Sequence, residues 1–231
     1  MTAAEDADLR AAVLAPGTEA APDDHVRGAP DAPVTVLEYG DYECPYCAAA
    51  APVLRNLLDQ ADGSVRLVFR NYPLADRHPY ALTAALAAEA AADQGAFWQM
   101  HDVLFERQDR LTDAALRSYA EELGLDGELV VGERAQRFGD KVEADFAAGV
   151  LAGVPGTPTL FIAGQLYTGR VELGALLRAV GAAGSPSSGG DGGLDPGSRR
   201  QRRWPFRLRR AQREPFAEEA QEDDAEQRGG E

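Results

Sequence analysis

Apolar positions in this chain switch between two periods. Residues 34–39 (VTVLEY) are β-branched and apolar, the profile of a buried strand. Gly40-Asp41-Tyr42-Glu43 turns the chain, and Cys44 opens a helix on which Cys47, Ala51, Leu54 and Leu58 share a face. Asp62-Gly63 closes that helix, and residues 65–69 (VRLVF) read as a second strand. The pattern is then helical over about 79–151. An alanine-rich segment at 80–93 stops at Gly95, and Phe97, Trp98, His101, Leu104 and Phe105 share a face. Thr112 can cap a helix that carries Leu116, Tyr119, Ala120 and Leu123 and ends at Gly124, and Val142, Phe146 and Val150 mark another. Strand character returns at 159–162, a turn at Ala163-Gly164-Gln165 leads into 166–168, and a last helix is predicted over about 172–180.

A strand–helix–strand unit followed by a strand hairpin and a helix predicts an α/β fold with a small mixed sheet and helices on both faces. The helical block is an insertion, at about 76–151. Residues 1–30 are acidic, rich in Ala and Pro, and read as an extension with little to bury, so the domain is expected over 31–183. Residues 184–231 read as a flexible linker followed by a charged tail, since Gly, Ser, Pro and Asp dominate to about 198. Within that tail, eight arginines and no acid lie in 199–213 beside Trp204, Phe206 and Leu208, and eight acids and one arginine follow in 214–231. Such blocks are usually solvated or neutralise each other, and the basic-aromatic part is the one place suited to an anionic membrane surface or RNA. The whole chain has 231 residues and a net charge of −15, which argues against a basic nucleic-acid interface on the body. Neither a basic-then-apolar leader nor an apolar run of about 18 residues is present, so the expected location is cytoplasmic.

The chain has two cysteines, in Cys44-Pro45-Tyr46-Cys47. A disulfide framework needs several pairs, and a structural zinc site needs four ligands; His25, His78 and His101 form no second half-site. Redox chemistry is therefore favoured over metal, and no cofactor is implied. Thiolate, not thiol, attacks a disulfide, and a helix start stabilises it through unpaired N–H groups and the helix dipole. Pro45 suits the first helical position, which has no N–H partner to lose. Cys44 is expected to be the exposed nucleophile and Cys47 the buried resolving thiol. Asp41 and Glu43 lie close in sequence and should oppose the thiolate. The structural alternative is two incidental thiols on a helix.

Residues 36–47 (VLEYGDYECPYC) resemble the active-site region of DsbA-like proteins of the thioredoxin superfamily. Pro52 falls where thioredoxin-like active-site helices carry a kinking proline, and residues 154–159 (VPGTPT) resemble the family's cis-proline loop. The likeness covers about 31–182, includes 70–79 and 97–105, and extends to the soluble domain fused to some bacterial sodium/proton antiporters. It implies a thioredoxin-like fold with a helical insertion and flexible terminal tails. Its activity would be thiol–disulfide oxidoreduction on protein or low-molecular-weight thiols and disulfides, with a further redox partner. It also implies that Pro45, Tyr46, Thr157 and Pro158 contact substrate; an ordinary turn is the simpler account of the loop. Glu38, on the buried strand, would be desolvated and able to take the proton of Cys47, unless it faces solvent. His78 is either a bland loop residue or a neighbour of the site, and His101 reads as a hydrogen-bonded core residue. The competing functional class is a redox-responsive regulatory module of a transporter or other partner, without turnover.

Overall fold

The computed structural model describes Thr18 and residues 20–184. Among these the elements run β1 (His25–Gly28), β2 (Val34–Gly40), α1 (Pro45–Gln60), β3 (Val65–Asn71), α2 (Ala81–Ala92), α3 (Phe97–Glu106) and α4 (Asp113–Glu122). A 3-10 turn at Gly127–Leu129 leads to α5 (Gly132–Gln136), α6 (Gly139–Leu151), β4 (Thr159–Ile162), β5 (Gln165–Leu166) and α7 (Leu173–Gly184). The sheet order is β1-β3-β2-β4-β5. β2 and β3 pair in parallel, and the other three pairings are antiparallel.

β2 and β3 are central and buried on both faces, which is why they read as near-continuous apolar runs. On one face Val36, Leu67 and Leu160 pack with Leu54 and Leu57 of α1 and Leu176 of α7. On the other, Leu37, Tyr39, Val68 and Phe161 pack with Tyr72 and Val154. The inserted helices form their own core around Met100, Leu104 and Leu116, and Tyr42, Cys44, Cys47 and Phe69 join it. The cysteine pair therefore sits where the inserted helices meet the sheet.

The N-terminal boundary moves outward from the expected residue 31. β1 forms the sheet edge, and polar contacts dock it. The Asp24 carboxylate accepts from Arg70 Nε and Nη2, each at 2.8 Å. The His25 ring stacks on Phe97 at 3.5 Å and meets Glu89 at 2.9 Å, and Arg27 meets Asp102 at 2.8 Å. Lys141, the chain's one lysine, reaches Asp145 at 2.5 Å and Asp23 at 3.8 Å. Ion pairs of this kind carry no hydrophobic period, so the segment looked like a lead-in. The second strand of the hairpin is two residues long instead of three, and the last helix runs to Gly184. Residues 185–231, with the charged tail, and residues 1–17 lie outside the described residues.

Gly40 ends β2 against the Phe69 ring, and a Cβ there would meet Phe69 Cε2 and Cζ. Phe69 is fully buried, so the ring has no room to yield. Gly40→Ala is expected to lower stability by about 1–3 kcal/mol, read as a lower urea midpoint at unchanged slope.

Candidate active site

β2 delivers the chain to the turn at 41–43, and Cys44 is the N-cap of α1, with φ −76° and ψ 120°. Pro45 takes the first helical position, and the Cys44 side chain makes no capping hydrogen bond. Its sulfur is thus available to face the first turn, where backbone N–H groups are unpaired. The turn is braced from the insertion: Gln108 Nε2 donates to the carbonyls of Tyr42 and Cys44, each at 2.8 Å.

The two thiols are driven apart in acidity. Cys44 is pulled down to about 5, chiefly by a hydrogen bond from the Cys47 thiol, against burial, with Thr157 and the N–H groups of Cys47 and Tyr46 helping. Cys47 goes the other way, far above the ordinary thiol range, because burial and its bond to Cys44 favour the protonated form. The Cys47 thiol, helped by N–H groups of the helix N-terminus, acts on one sulfur and a closed core acts on the other, which gives this split.

Cys44 is not exposed as expected: 3% of its surface is accessible, against 0% for Cys47. The loop before β4 covers it. Cys44 Sγ lies 3.3 Å from the Thr157 carbonyl, to which the thiol form donates. The buried Thr157 hydroxyl has no other hydrogen-bond partner, so it is the Thr157 group able to turn a proton toward the thiolate. The Thr157–Pro158 peptide is cis. Pro158 and Thr157 then line, with Tyr46, Ala49 and Val171, a groove of about 390 Å³ beside the site. Tyr46 is 74% exposed at its rim, while Pro45 is exposed but does not line it.

Glu38 stands on β2 opposite Leu160 of β4 and Phe69 of β3, with 1% of its surface accessible. It does not face solvent. Burial raises its carboxyl to about 8, with the charge of Cys44 adding to the shift, and Oε1 has no hydrogen-bond partner. The same carboxylate acts on Cys47, raising that thiol too.

Asp41 and Glu43 do not blunt Cys44 as their sequence position suggested, and neither is among the main influences on it. Their carboxylates are engaged elsewhere. Asp41 accepts from the N–H groups of Glu43 and Leu74 at 2.8 and 2.9 Å and from His78 Nδ1 at 2.7 Å. Glu43 accepts from the Tyr80 N–H at 2.6 Å. His78, read from the sequence as either a bland loop residue or a neighbour of the site, is held on Asp41 beside it, whereas Gln108 was not singled out, because a glutamine after a helix carries no pattern of its own. His101 is buried, 3.2 Å from the Tyr42 hydroxyl, and burial pushes its pKa well down. Among the described residues no helix is long and apolar enough to cross a membrane.

A thioredoxin family model matches residues 20–182. The chain is 49% identical over 178 residues to the Na(+)/H(+) antiporter NhaA 3 of Salinispora tropica, covering 76% of this chain and 27% of the antiporter. It spans about a quarter of the length of such curated relatives. Among solved structures it is similar to a thioredoxin-like oxidoreductase from Silicibacter pomeroyi, with 36% identity and a TM-score of 0.61, over 71% of this chain and 93% of that one. Oxidised BdbD from Bacillus subtilis gives 25% identity and a TM-score of 0.63, over 74% and 98%.

Proposed function

Because the chain belongs to the thioredoxin family, with DsbA-like oxidoreductases among its structural neighbours, we propose that it is a thiol–disulfide oxidoreductase working through Cys44 and Cys47. The observation that carries this reading is the opposed acidity of two thiols on one helical turn: one is near 5, the other holds its proton inside the core. The first is a thiolate at neutral pH and the second is not.

In the reducing direction, the Cys44 thiolate attacks a substrate sulfur. The substrate's S–S bond breaks, one thiolate leaves, and a Cys44 mixed disulfide forms. Cys47 then gives up its proton and attacks the Cys44 sulfur, which closes the protein disulfide and releases the second thiolate. Two electrons pass from the dithiol to the substrate. Glu38 takes the Cys47 proton, since it is buried, its charge is felt by that thiol and it titrates at about 8. Tyr46, Thr157 and Pro158 receive the substrate chain in the groove, and Pro45 fixes the helix start. Protein disulfides and small disulfides both suit such a groove. The steps use no metal or organic cofactor.

A Cys44 this acidic stabilises the dithiol form, so the potential should be less negative than about −270 mV, the thioredoxin value, and fall on the order of −150 to −230 mV. In a reducing cytosol such a pair rests as dithiol, and in an oxidising compartment it donates its disulfide. Equilibration in glutathione buffers, read by tryptophan fluorescence, gives the value. A midpoint at or below that of thioredoxin would refute the ranking of charges around Cys44.

The antiporter relatives favour a second reading, in which the domain is the redox-responsive module of a transporter. Multiple-turnover reduction of a model disulfide separates the two: a catalyst cycles with excess dithiol, and a sensor stops after one equivalent.

A further inference from the structure

We infer that Asp41, held by His78, is a positioning residue for the Cys47 step of exchange; this rests on the dithiol reading above. Asp41 is buried at the end of β2, and its backbone and side chain are both engaged. The backbone N–H donates to Cys47 Sγ at 3.5 Å. The carboxylate takes the Glu43 N–H on Oδ1, and the Leu74 N–H and His78 Nδ1 on Oδ2. An ionised carboxylate only accepts, so His78 Nδ1 is the donor in that pair. Glu43 grips the Tyr80 N–H in the same way. The turn before Cys44 therefore holds the loop after β3 at two points, and His78 closes the deeper one.

This clasp bears on chemistry because Cys47 is the harder of the two thiols to ionise. Attack on the mixed disulfide needs negative charge to develop on a sulfur with no access to water. A backbone N–H aimed at that sulfur strengthens as the charge appears, so it favours the transition state over the resting thiol. The Asp41 N–H acts on Cys47 in that sense, lowering the cost of its thiolate. The carboxylate fixes the peptide's tilt: Oδ1 ties it to the residue two ahead, and Oδ2 ties it to the facing loop. Three donors also satisfy a carboxylate that would otherwise be costly to bury. His78 acts on Cys47 only through Asp41.

The test uses oxidised glutathione and the full chain. Cys44 thiolate attacks one glutathione sulfur and expels the other as thiolate; Cys47 thiolate then displaces the bound glutathione from Cys44, and its proton leaves through Glu38 to water. Acid quenching and mass analysis follow the mixed disulfide, which gives the rate of attack and the rate of resolution. The ratio of resolution to attack is the readout, because a merely loosened fold lowers both together. It is expected to fall at least fivefold in Asp41→Ala and in His78→Ala. The double variant should match Asp41→Ala within twofold, since His78 has no route to Cys47 once Asp41 is gone. A smaller fall in either single variant, or effects that multiply in the double, overturns the inference. Should Asp41→Ala not unfold cooperatively, Asp41→Asn takes its place under the same criteria. A wild-type chain that forms no mixed disulfide, or never resolves one, would instead remove the dithiol reading itself.

Discussion

Cys44→Ser is expected to lose exchange with oxidised glutathione by at least about a thousandfold, the loss that removal of the proposed nucleophile should cause. A serine hydroxyl gains little from the hydrogen bonds that hold Cys44 near 5, because it remains protonated at every accessible pH. Cys47→Ser should behave differently: Cys44 should still attack, and the mixed disulfide should accumulate because nothing resolves it. The wild-type attack rate should be flat at neutral pH and fall as the pH drops through about 5, where the thiolate takes up its proton. Rapid-quench mass analysis of both variants measures these outcomes. Substrate trapped through Cys47 in Cys44→Ser would reverse the assigned roles.

Glu38→Gln is expected to be more stable and less active, a combination that an ordinary core residue would not give. In the folded chain the carboxyl titrates at about 8, against 4.5 ordinarily. Between those values the unfolded chain releases a proton that the folded chain retains, so fewer protons are bound in the unfolded state. Stability therefore falls as pH rises through that window, and the cost above pH 8 is on the order of 5 kcal/mol. Glutamine does not titrate and escapes this cost. Urea unfolding of reduced protein at pH 5, 7 and 8.5 should show the variant's advantage growing with pH. The advantage should shrink in the oxidised protein, where Cys44 carries no charge to raise Glu38 further. Resolution by Cys47 should be about a hundredfold slower in the variant and should lose its rise toward pH 8. Equal stability at all three values would show that Glu38 is not desolvated in solution.

Much of this site could be read from the chain alone because its signals are local. β2 and β3 are apolar on both faces, and a Cys-x-x-Cys directly after such a strand falls on a helix start whatever surrounds it. Glu38 inside an apolar run was visible for the same reason. What escaped notice depends on distant pairs. β1 is docked by Asp24–Arg70 and His25–Glu89, contacts 46 and 64 residues apart, and no periodic pattern announces them. α2 has nine of its twelve residues buried, so it lacks a polar face and shows alanine richness instead of amphipathic spacing. Closeness along the chain sets Asp41 and Glu43 against the Cys44 thiolate, but it does not show where their carboxylates are engaged. In the fold their carboxylates are taken up by the loop that carries Leu74, His78 and Tyr80.

The ion pairs of Lys141 also decide how this protein meets acylating reagents. Lys141 is the chain's one lysine, and its amine lies between Asp145 and Asp23 with 18% of the side chain accessible. Amine-directed labels, surface-immobilisation chemistries and lysine crosslinkers therefore have a single side-chain target, which is held chiefly by Asp145. The acylation rate of that amine therefore reports how often it leaves the Asp145 carboxylate one helical turn away, since the exposed Asp23 at 3.8 Å holds it only loosely.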